Sequence, residues 1–153
     1  MTRGFISRRI VADRMAWVEE MLSHIGSLPC SDRTAFFGDA RNVWAAESCL
    51  RRALEALLDL GRHILAKGFA VGVSEYKEVA ASLVTKGVLS DSIGETLRVL
   101  AGYRNRLVHF YHEVTKDELF EVCSEQLGEF HQVLSALKTW INRHPDLIRD
   151  DDL

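Results

Sequence analysis

The residues best suited to chemistry lie close together in one stretch of the chain, from Ala101 to Val114. Arg104 and His109 are the most informative of them, because a histidine titrates near neutrality and can carry a proton. An arginine can stabilise negative charge that develops on a phosphoryl oxygen without losing its own proton. Asn105 lies one helical turn before His109, where its amide can fix the tautomer and orientation of the imidazole. These residue types favour proton transfer at a phosphate group.

Two other interpretations of this stretch stay open. His109, His112 and Glu113 could bind a metal ion, but no nearby cluster of carboxylates offers a magnesium site, and a metal-free mechanism is favoured. Arginines and an asparagine near a helix end can also cap backbone carbonyls, in which case their role is structural. We expect no metal and no cofactor.

Helical geometry sets a condition on any site built from Arg104 and His109. Each residue of an α-helix advances by about 100°, so two residues five apart point about 140° away from each other. Arg104 instead shares a face with Val108 and Tyr111. The sequence therefore predicts either a break in the helix near His109 or a second copy of the chain that completes the site.

The elements that hold this stretch are predicted to be helices. Apolar residues recur every three or four positions, and no segment alternates with the period of two that marks a half-buried strand. Five helices are expected, over about 5–28, 34–67, 75–86, 90 to the central stretch, and 115–144. The longest carries an unbroken heptad seam of Val43, Ala46, Leu50, Ala53, Leu57, Leu60 and Ile64. Thr115 and Glu118 have the spacing of a capping box at the start of the last helix. The fold class is therefore all-α, an up-down bundle of about five helices.

Composition limits the class of protein. The chain has 153 residues and a formal net charge of −3, which fits one domain over 1–153 and argues against a general nucleic-acid coat. Fourteen of the 19 basic residues are arginine, which makes bidentate contacts with phosphate. A local phosphate site is therefore compatible with the acidic net charge.

Other features of the chain bear on location and on the cysteines. No apolar run approaches the roughly 20 residues of a membrane-spanning helix, and the first residues lack the apolar block of a signal peptide. We therefore expect a cytoplasmic protein without membrane contact. Cys30, Cys49 and Cys123 fit neither a disulfide framework nor a zinc pattern and are expected to be small buried hydrophobes. Residues 146–153 are expected to form a frayed acidic tail.

The central stretch resembles the motif of the HEPN superfamily, and in particular of its HepT-like toxins. That motif is an arginine, four residues, a histidine, one residue and a tyrosine, and it stands here as Arg104-Asn-Arg-Leu-Val-His109-Phe-Tyr111. The segments AAESCLRRALEALLDLGRHILAKG and SEYKEVAASLVTKGVLSD before it are also similar to the family. The resemblance covers roughly residues 34–135.

The resemblance implies an all-helical fold of HEPN type and a homodimer whose motifs face each other across a cleft. It implies the toxin of a type VII MNT/HepT toxin–antitoxin system, a metal-independent ribonuclease that cleaves RNA by attack of the ribose 2′-hydroxyl. Arg104 and His109 would be the catalytic pair, with Asn105 in support. Tyr111 matches the tyrosine that the cognate nucleotidyltransferase antitoxin modifies with AMP. Possible RNA contacts are Arg106, His112, Arg51 and Arg52.

Two rival functions remain at the level of sequence. The first is a non-catalytic HEPN subunit that binds a nucleotide or assists a minimal nucleotidyltransferase. The second is a purely structural helical dimer. Replacement of His109 separates both from the ribonuclease, because neither of them needs an imidazole at that position.

Overall fold

The computed structural model describes residues 4–109 and 113–150, and these residues are mostly helical. They form seven α-helices: α1 (Arg8–Gly26), α2 (Arg33–Phe37), α3 (Ala40–Phe69), α4 (Val79–Thr85), α5 (Asp91–His109), α6 (Lys116–Glu125) and α7 (Leu127–Asn142). Short 3-10 helices cover Tyr76–Glu78 and Pro145–Leu147, and two-residue strands cover Ile6–Ser7 (β1) and Ile148–Arg149 (β2). None of the described helices has both the length and the apolar character needed to cross a membrane.

The all-α class is confirmed, but the expected number of about five helices is wrong. The predicted helix over 34–67 is two helices, because Asp32 and Asp39 each cap the start of a new one. The Asp32 carboxylate accepts from the amide of Ala35 at 3.1 Å, and the Asp39 carboxylate from that of Arg41 at 3.0 Å. The predicted last helix is also divided, at Gln126, into α6 and α7.

Helix α3 is the centre of the molecule. Its predicted heptad seam is confirmed, since all seven of the seam residues are buried. Helix α1 packs along α3, and α2, α4, α5 and α6 also contact it. Burial of a leucine side chain contributes about 1.5–3 kcal/mol, so this seam supplies much of the stabilising free energy of the fold.

Helix α4 lies unusually close to α3 and α5, and two glycines allow this. A Cβ atom at Gly61 of α3 would meet Val79 Cγ1 at 2.7 Å, and one at Gly94 of α5 would overlap Val84 Cγ2. The close packing fixes the turn that precedes α4 against both neighbours. That turn forms one wall of the site described below.

The expectation of a frayed tail over 146–153 is wrong for its described part, residues 146–150. Strand β2 pairs in parallel with β1, with Ile148 opposite Ile6, and Leu147 and Ile148 are buried. Asp150 accepts a hydrogen bond from Nε of Arg8 at 2.7 Å. Two apolar side chains outweigh the acidic character of this segment, because they reach the main core. Residues 151–153 lie outside the described residues.

Candidate functional site

A cleft lies between α3, the turn before α4 and the C-terminal half of α5. Its volume is about 460 Å³, and its walls are Arg62, Ser74, Glu75, Tyr76, Lys77, Arg104, Asn105 and His109. The structure thus brings together three of the residues singled out in the sequence, Arg104, Asn105 and His109. Two arginines, a lysine and a histidine line this cleft, and such side chains suit a ligand that carries negative charge.

Helix α5 is continuous from Asp91 to His109, its last residue. The break predicted near His109, shortly after Tyr111, falls outside the described residues and stays a prediction. Arg104 and His109 both line the cleft nevertheless. The cleft extends along the side of α5, and the long arginine side chain reaches into it from its own face of the helix. His109 is exposed and is the last residue of α5. Tyr111 and His112, which the sequence also singled out, lie outside the described residues.

Arg104 is held by several weak contacts. Its side chain is 17% exposed, and its Nη2 lies 3.5 Å from Oε1 of Glu55 on α3. Its Nη1 donates to Oδ1 of Asn105 at 3.2 Å, and its Nε is buried with no partner in the described part of the chain. Charge-assisted bonds of full strength are shorter, about 2.7–2.9 Å. The guanidinium therefore keeps capacity for a further acceptor.

Asn105 contacts Arg104 through its amide oxygen. The role predicted for Asn105 from the sequence, orientation of the His109 imidazole, stays a prediction. In the structure the Asn105 oxygen helps to place the guanidinium, which is a supporting role toward the arginine.

Glu55 connects Arg104 to one of the predicted RNA contacts. Its Oε1 lies 3.6 Å from Nη1 of Arg51, one turn earlier on α3. Glu55 therefore contacts both Arg51 and the cleft residue Arg104. The neighbouring Arg52 is exposed and does not line the cleft.

Arg106 is not brought into the cleft. Its Nη1 and Nη2 each lie 2.8 Å from an oxygen of Glu118 on α6, and its Nη2 also donates to the carbonyl of Glu113 at 3.1 Å. Glu118 at the same time donates its backbone amide to the Thr115 hydroxyl at 3.1 Å, which confirms the predicted cap of α6. Arg106 therefore ties α5 to the first turn of α6.

Three residues of this region were missed in the sequence: Asp59, Arg62 and Tyr76. The Tyr76 hydroxyl donates to Oδ1 of Asp59 at 2.5 Å. The guanidinium carbon of Arg62 lies 4.4 Å from the centre of the Tyr76 ring, and that of Arg104 lies 4.5 Å from it. Burial of the ring, together with the hydrogen bond to the Asp59 carboxylate, raises the pKa of Tyr76 to about 12.

One signal could have drawn attention to two of them. Glu55, Asp59 and Arg62 are spaced by four and three residues on α3, so they form a polar row on a helix that is otherwise largely buried. A polar row on such a helix indicates a site or a polar neighbour.

The described residues offer no built metal site. Among residues 4–109 and 113–150, no group of three or more His, Cys, Asp or Glu side chains is placed to hold an ion. One member of the alternative metal set, His112, lies outside these ranges. Burial raises the pKa of the Cys123 thiol to about 12, and Cys30 and Cys49 are half-buried free thiols.

Comparison with known proteins gives matches to one family. Residues 18–137 match the model of the family described as Ribonuclease HepT-like. The chain is 26% identical over 90 residues to the mRNA nuclease HepT of Shewanella oneidensis, an alignment that covers 58% of this chain and 67% of that protein.

Solved structures share the fold. The tri-AMPylated HEPN toxin of Shewanella oneidensis, in complex with an MNT antitoxin, superposes with a TM-score of 0.76 at 22% identity and covers 85% of this chain and 97% of its own. The cytosolic protein YutE of Bacillus subtilis, of unknown function, gives 0.74 at 18% identity over 92% and 94% of the two chains. At these identities the likeness shows the arrangement of helices.

Proposed function

Because the chain belongs to the Ribonuclease HepT-like family, we propose that it is the RNA-cleaving toxin of an MNT/HepT toxin–antitoxin pair. The observation that carries the proposal is that Arg104, Asn105 and His109 line one cationic cleft. A histidine that can move a proton beside an arginine that can neutralise a phosphoryl oxygen is the minimum set for cleavage of a phosphodiester.

The proposed reaction uses the RNA's own nucleophile. The ribose 2′-hydroxyl loses its proton and attacks the adjacent phosphorus, and the bond from phosphorus to the 5′ oxygen breaks. The products are a 2′,3′-cyclic phosphate and a free 5′-hydroxyl, so the proton lost at one oxygen is matched by one gained at the other. Arg104 stabilises the charge that develops on the non-bridging oxygens, and no metal is required for this sequence of steps.

The reaction needs two proton transfers, one from the 2′-hydroxyl and one to the 5′ oxygen, and His109 is the residue proposed for them. The neutral imidazole can accept the proton of the 2′-hydroxyl, whereas only the protonated imidazole can give one to the 5′ oxygen. One ring cannot be in both states when the two transfers are concerted. A homodimer whose two cleft regions face each other would supply a second His109, and we propose that the active form is this dimer.

The proposed control of the toxin lies at Tyr111. This residue matches the modified tyrosine of the family motif, and a structural relative of this chain is a tri-AMPylated toxin in complex with its MNT antitoxin. Tyr111 is two residues after His109. An AMP group there would add negative charge two residues from His109 in the sequence and would repel the RNA backbone.

The catalytic claim is tested by cleavage of a single-stranded RNA by the purified full chain. We expect His109→Ala and Arg104→Ala to lower the rate by about 100-fold or more. His131→Ala, at an exposed histidine on α7, is the matched control and should leave the rate unchanged. A chelator should also leave it unchanged. If wild type and His109→Ala cut equally, or neither cuts, the non-catalytic HEPN subunit replaces the ribonuclease as the better interpretation.

The modification claim is tested by intact mass after incubation with the cognate nucleotidyltransferase and ATP. We expect the mass of one or more AMP groups on the wild type and loss of RNA cleavage in parallel. Tyr111→Phe should prevent the addition at that residue, while Tyr103→Phe, at a buried tyrosine, should not. Unaltered addition to Tyr111→Phe would place the acceptor elsewhere.

A further inference from the structure

Three side chains from three elements form a stack at the inner wall of the cleft. Arg62 comes from α3, Tyr76 from the turn before α4 and Arg104 from α5, and the two guanidinium carbons lie 4.4 and 4.5 Å from the centre of the tyrosine ring. We refer to Arg62, Tyr76 and Arg104 as the cleft stack. Both arginines line the cleft with the tyrosine between their two helices.

The Tyr76 ring offsets the electrostatic repulsion between the two guanidinium groups. Two guanidinium groups near each other repel, but the face of an aromatic ring attracts each of them within about 6 Å of its centre. Because both guanidinium carbons lie so near one centroid, they are no more than about 9 Å apart. Without the ring, each arginine would be free to turn toward other acceptors such as Glu55 or Asp59.

The ring is itself fixed from behind. The Tyr76 hydroxyl donates to Asp59 at 2.5 Å, and Asp59 also lies 3.9 Å from Nη1 of Arg62. Arg62 donates from Nη2 to the carbonyl of Ser74 at 3.3 Å. These contacts tie the turn before α4 to α3 and hold the ring in one position between the arginines.

Neither arginine has its hydrogen-bonding capacity filled by these contacts. Nε of Arg62 and Nε of Arg104 are buried and have no partner within the described ranges. Their ion pairs with carboxylates are long, 3.9 Å for Arg62 with Asp59 and 3.5 Å for Arg104 with Glu55. Two underused guanidinium groups that contact one ring, at most about 9 Å apart, fit two neighbouring phosphates of one strand.

We infer that Tyr76 is a positioning residue that holds Arg62 and Arg104 as a pair of phosphate-binding cations. Arg104 serves the phosphate that is cleaved, and Arg62 binds a neighbouring phosphate of the same RNA strand. The inference rests on the proposed ribonuclease function for its substrate. It adds a second cation and a positioning tyrosine, neither of which belongs to the motif in α5.

The first experiment measures binding of a single-stranded RNA in which every 2′-hydroxyl is methylated, so that it cannot be cut. For single strands, the slope of log K against log salt is about −0.7 for each phosphate neutralised. We expect Arg62→Gln to make this slope shallower by about 0.7. Arg14→Gln, at an exposed arginine on α1 away from the cleft, is the matched control and should leave the slope unchanged. An unchanged slope in Arg62→Gln would overturn the second-cation half of the inference.

The second experiment separates positioning from packing by cleavage kinetics on unmodified RNA. We expect Tyr76→Leu to lower kcat by about tenfold or more, because Arg104 is no longer held in place. Tyr76→Phe should lose only about threefold, since the ring remains and only the bond to Asp59 is gone. Arg62→Gln should raise KM several-fold with a much smaller change in kcat. Equal kcat values for Tyr76→Leu and Tyr76→Phe would overturn the positioning role.

A third measurement does not depend on cleavage. Phenylglyoxal modifies accessible arginines, and peptide mass analysis reports the rate at Arg104. We expect faster labelling of Arg104 in Tyr76→Leu than in wild type and Tyr76→Phe. If Tyr76→Leu fails to fold, Tyr76→Met, which also lacks the aromatic ring, replaces it, with the same direction of change expected. Unaltered labelling in the folded variant would contradict the role of the ring.

The outcomes distinguish this inference from the proposed function. If wild type binds RNA and Arg62→Gln reduces the salt slope, but no RNA is cut, then the ribonuclease proposal fails and the cation pair stands. If RNA is cut in a His109-dependent way while Arg62 and Tyr76 variants behave as wild type, the inference fails and the ribonuclease stands.

Discussion

Arg104 and Arg106 stand two residues apart on α5, yet their surroundings differ in kind. Arg106 makes two contacts of 2.8 Å to both oxygens of Glu118 and a further bond to a backbone carbonyl. Arg104 has contacts of 3.2 and 3.5 Å, a buried unpartnered Nε and the face of Tyr76. The first arrangement uses the guanidinium fully for structure, whereas the second holds it in place and leaves it able to bind.

The neighbours of α5 explain the difference. Residues two positions apart on an α-helix differ by about 200° of rotation. Measured the shorter way round, their side chains point about 160° apart. Arg104 therefore faces α3 and the turn before α4, and Arg106 faces the start of α6. Charge alone therefore does not distinguish these two arginines, whereas their contacts within the protein do.

The largest expected effect comes from the direct comparison of the two arginines. Arg104→Gln should lower the rate of RNA cleavage by about 100-fold or more, because a phosphoryl charge loses its stabiliser. Arg106→Gln should change the rate by no more than a few-fold, since its guanidinium is occupied by Glu118. Initial rates on one RNA, with circular dichroism of each variant, check this. Comparable losses in the two variants would remove the distinction.

The next largest effect is expected at Gly94 of α5. A substitution there tests whether the close packing of α4 against α5, the helix that carries Arg104, stabilises the fold. Gly94→Ala forces Val84 away and should lower the free energy of unfolding by about 1–3 kcal/mol. Gly102→Ala is the matched control on the same helix, because nothing lies within 4 Å of its added Cβ. It should be neutral or raise stability by up to about 1 kcal/mol. Urea unfolding measures both, and equal destabilisation would contradict the packing argument.

A smaller effect is expected when the ion pair between Arg106 and Glu118 is removed. Arg106→Gln and Glu118→Gln should each lower the free energy of unfolding by about 1 kcal/mol, with strong coupling in a double-mutant cycle. Arg98 and Glu95 provide a more exposed pair on the same helix, with contacts of 2.8 and 2.6 Å. That pair should couple more weakly than Arg106 with Glu118, because water and salt screen it. Stronger coupling in the exposed pair would show that contact geometry is a poor guide here.

The smallest effect is a pH dependence at alkaline pH. The folded-state pKa of Tyr76 is raised to about 12, above its ordinary value of 10.0, mainly by burial. The unfolded chain then loses this proton first, so the stabilising contribution is complete below pH 10 and is lost as pH rises through 12. Burial also raises the pKa of Tyr103, on the Arg106 side.

Tyr76→Phe and Tyr103→Phe should each remove part of the loss in stability between pH 10 and 12. Urea unfolding across this range measures the slope, and absorbance at about 295 nm follows the ionisation of tyrosine directly. A slope that is the same in wild type and both variants would assign the alkaline loss to other groups.

Much of the fold could be predicted because its signals are local in sequence. The seam of α3 follows from heptad spacing, and the start of α6 follows from the Thr115 cap, since both depend on residues within a few turns. The divisions at Asp39 and Gln126 were missed. A capping aspartate inside a helical pattern is a weak signal, and α6 and α7 pack on different helices, α3 and α5, which no local pattern records.

The site was predictable only in part. Arg104, Asn105 and His109 lie in one motif, and the structure places them in one cleft. Tyr76 is 28 residues before Arg104, and its ring meets the arginine only because α4 packs tightly against α5. Contacts of this kind depend on tertiary geometry. Arg106 lies in the same motif, but its ion pair with Glu118 on the next helix could not be predicted from local sequence.

The pairing of β1 with β2 has a consequence for the order of folding. It joins residues 6–7 to residues 148–149, so it closes nearly the whole chain as one loop. Closing a flexible loop of about 140 residues costs roughly 4 kcal/mol in entropy, far more than two residues of strand return. The pair should therefore form last, once α1 and α7 have docked, and open first under denaturant. Hydrogen exchange at the amides of β1 and β2 would then report whether the helices between the two strands have assembled.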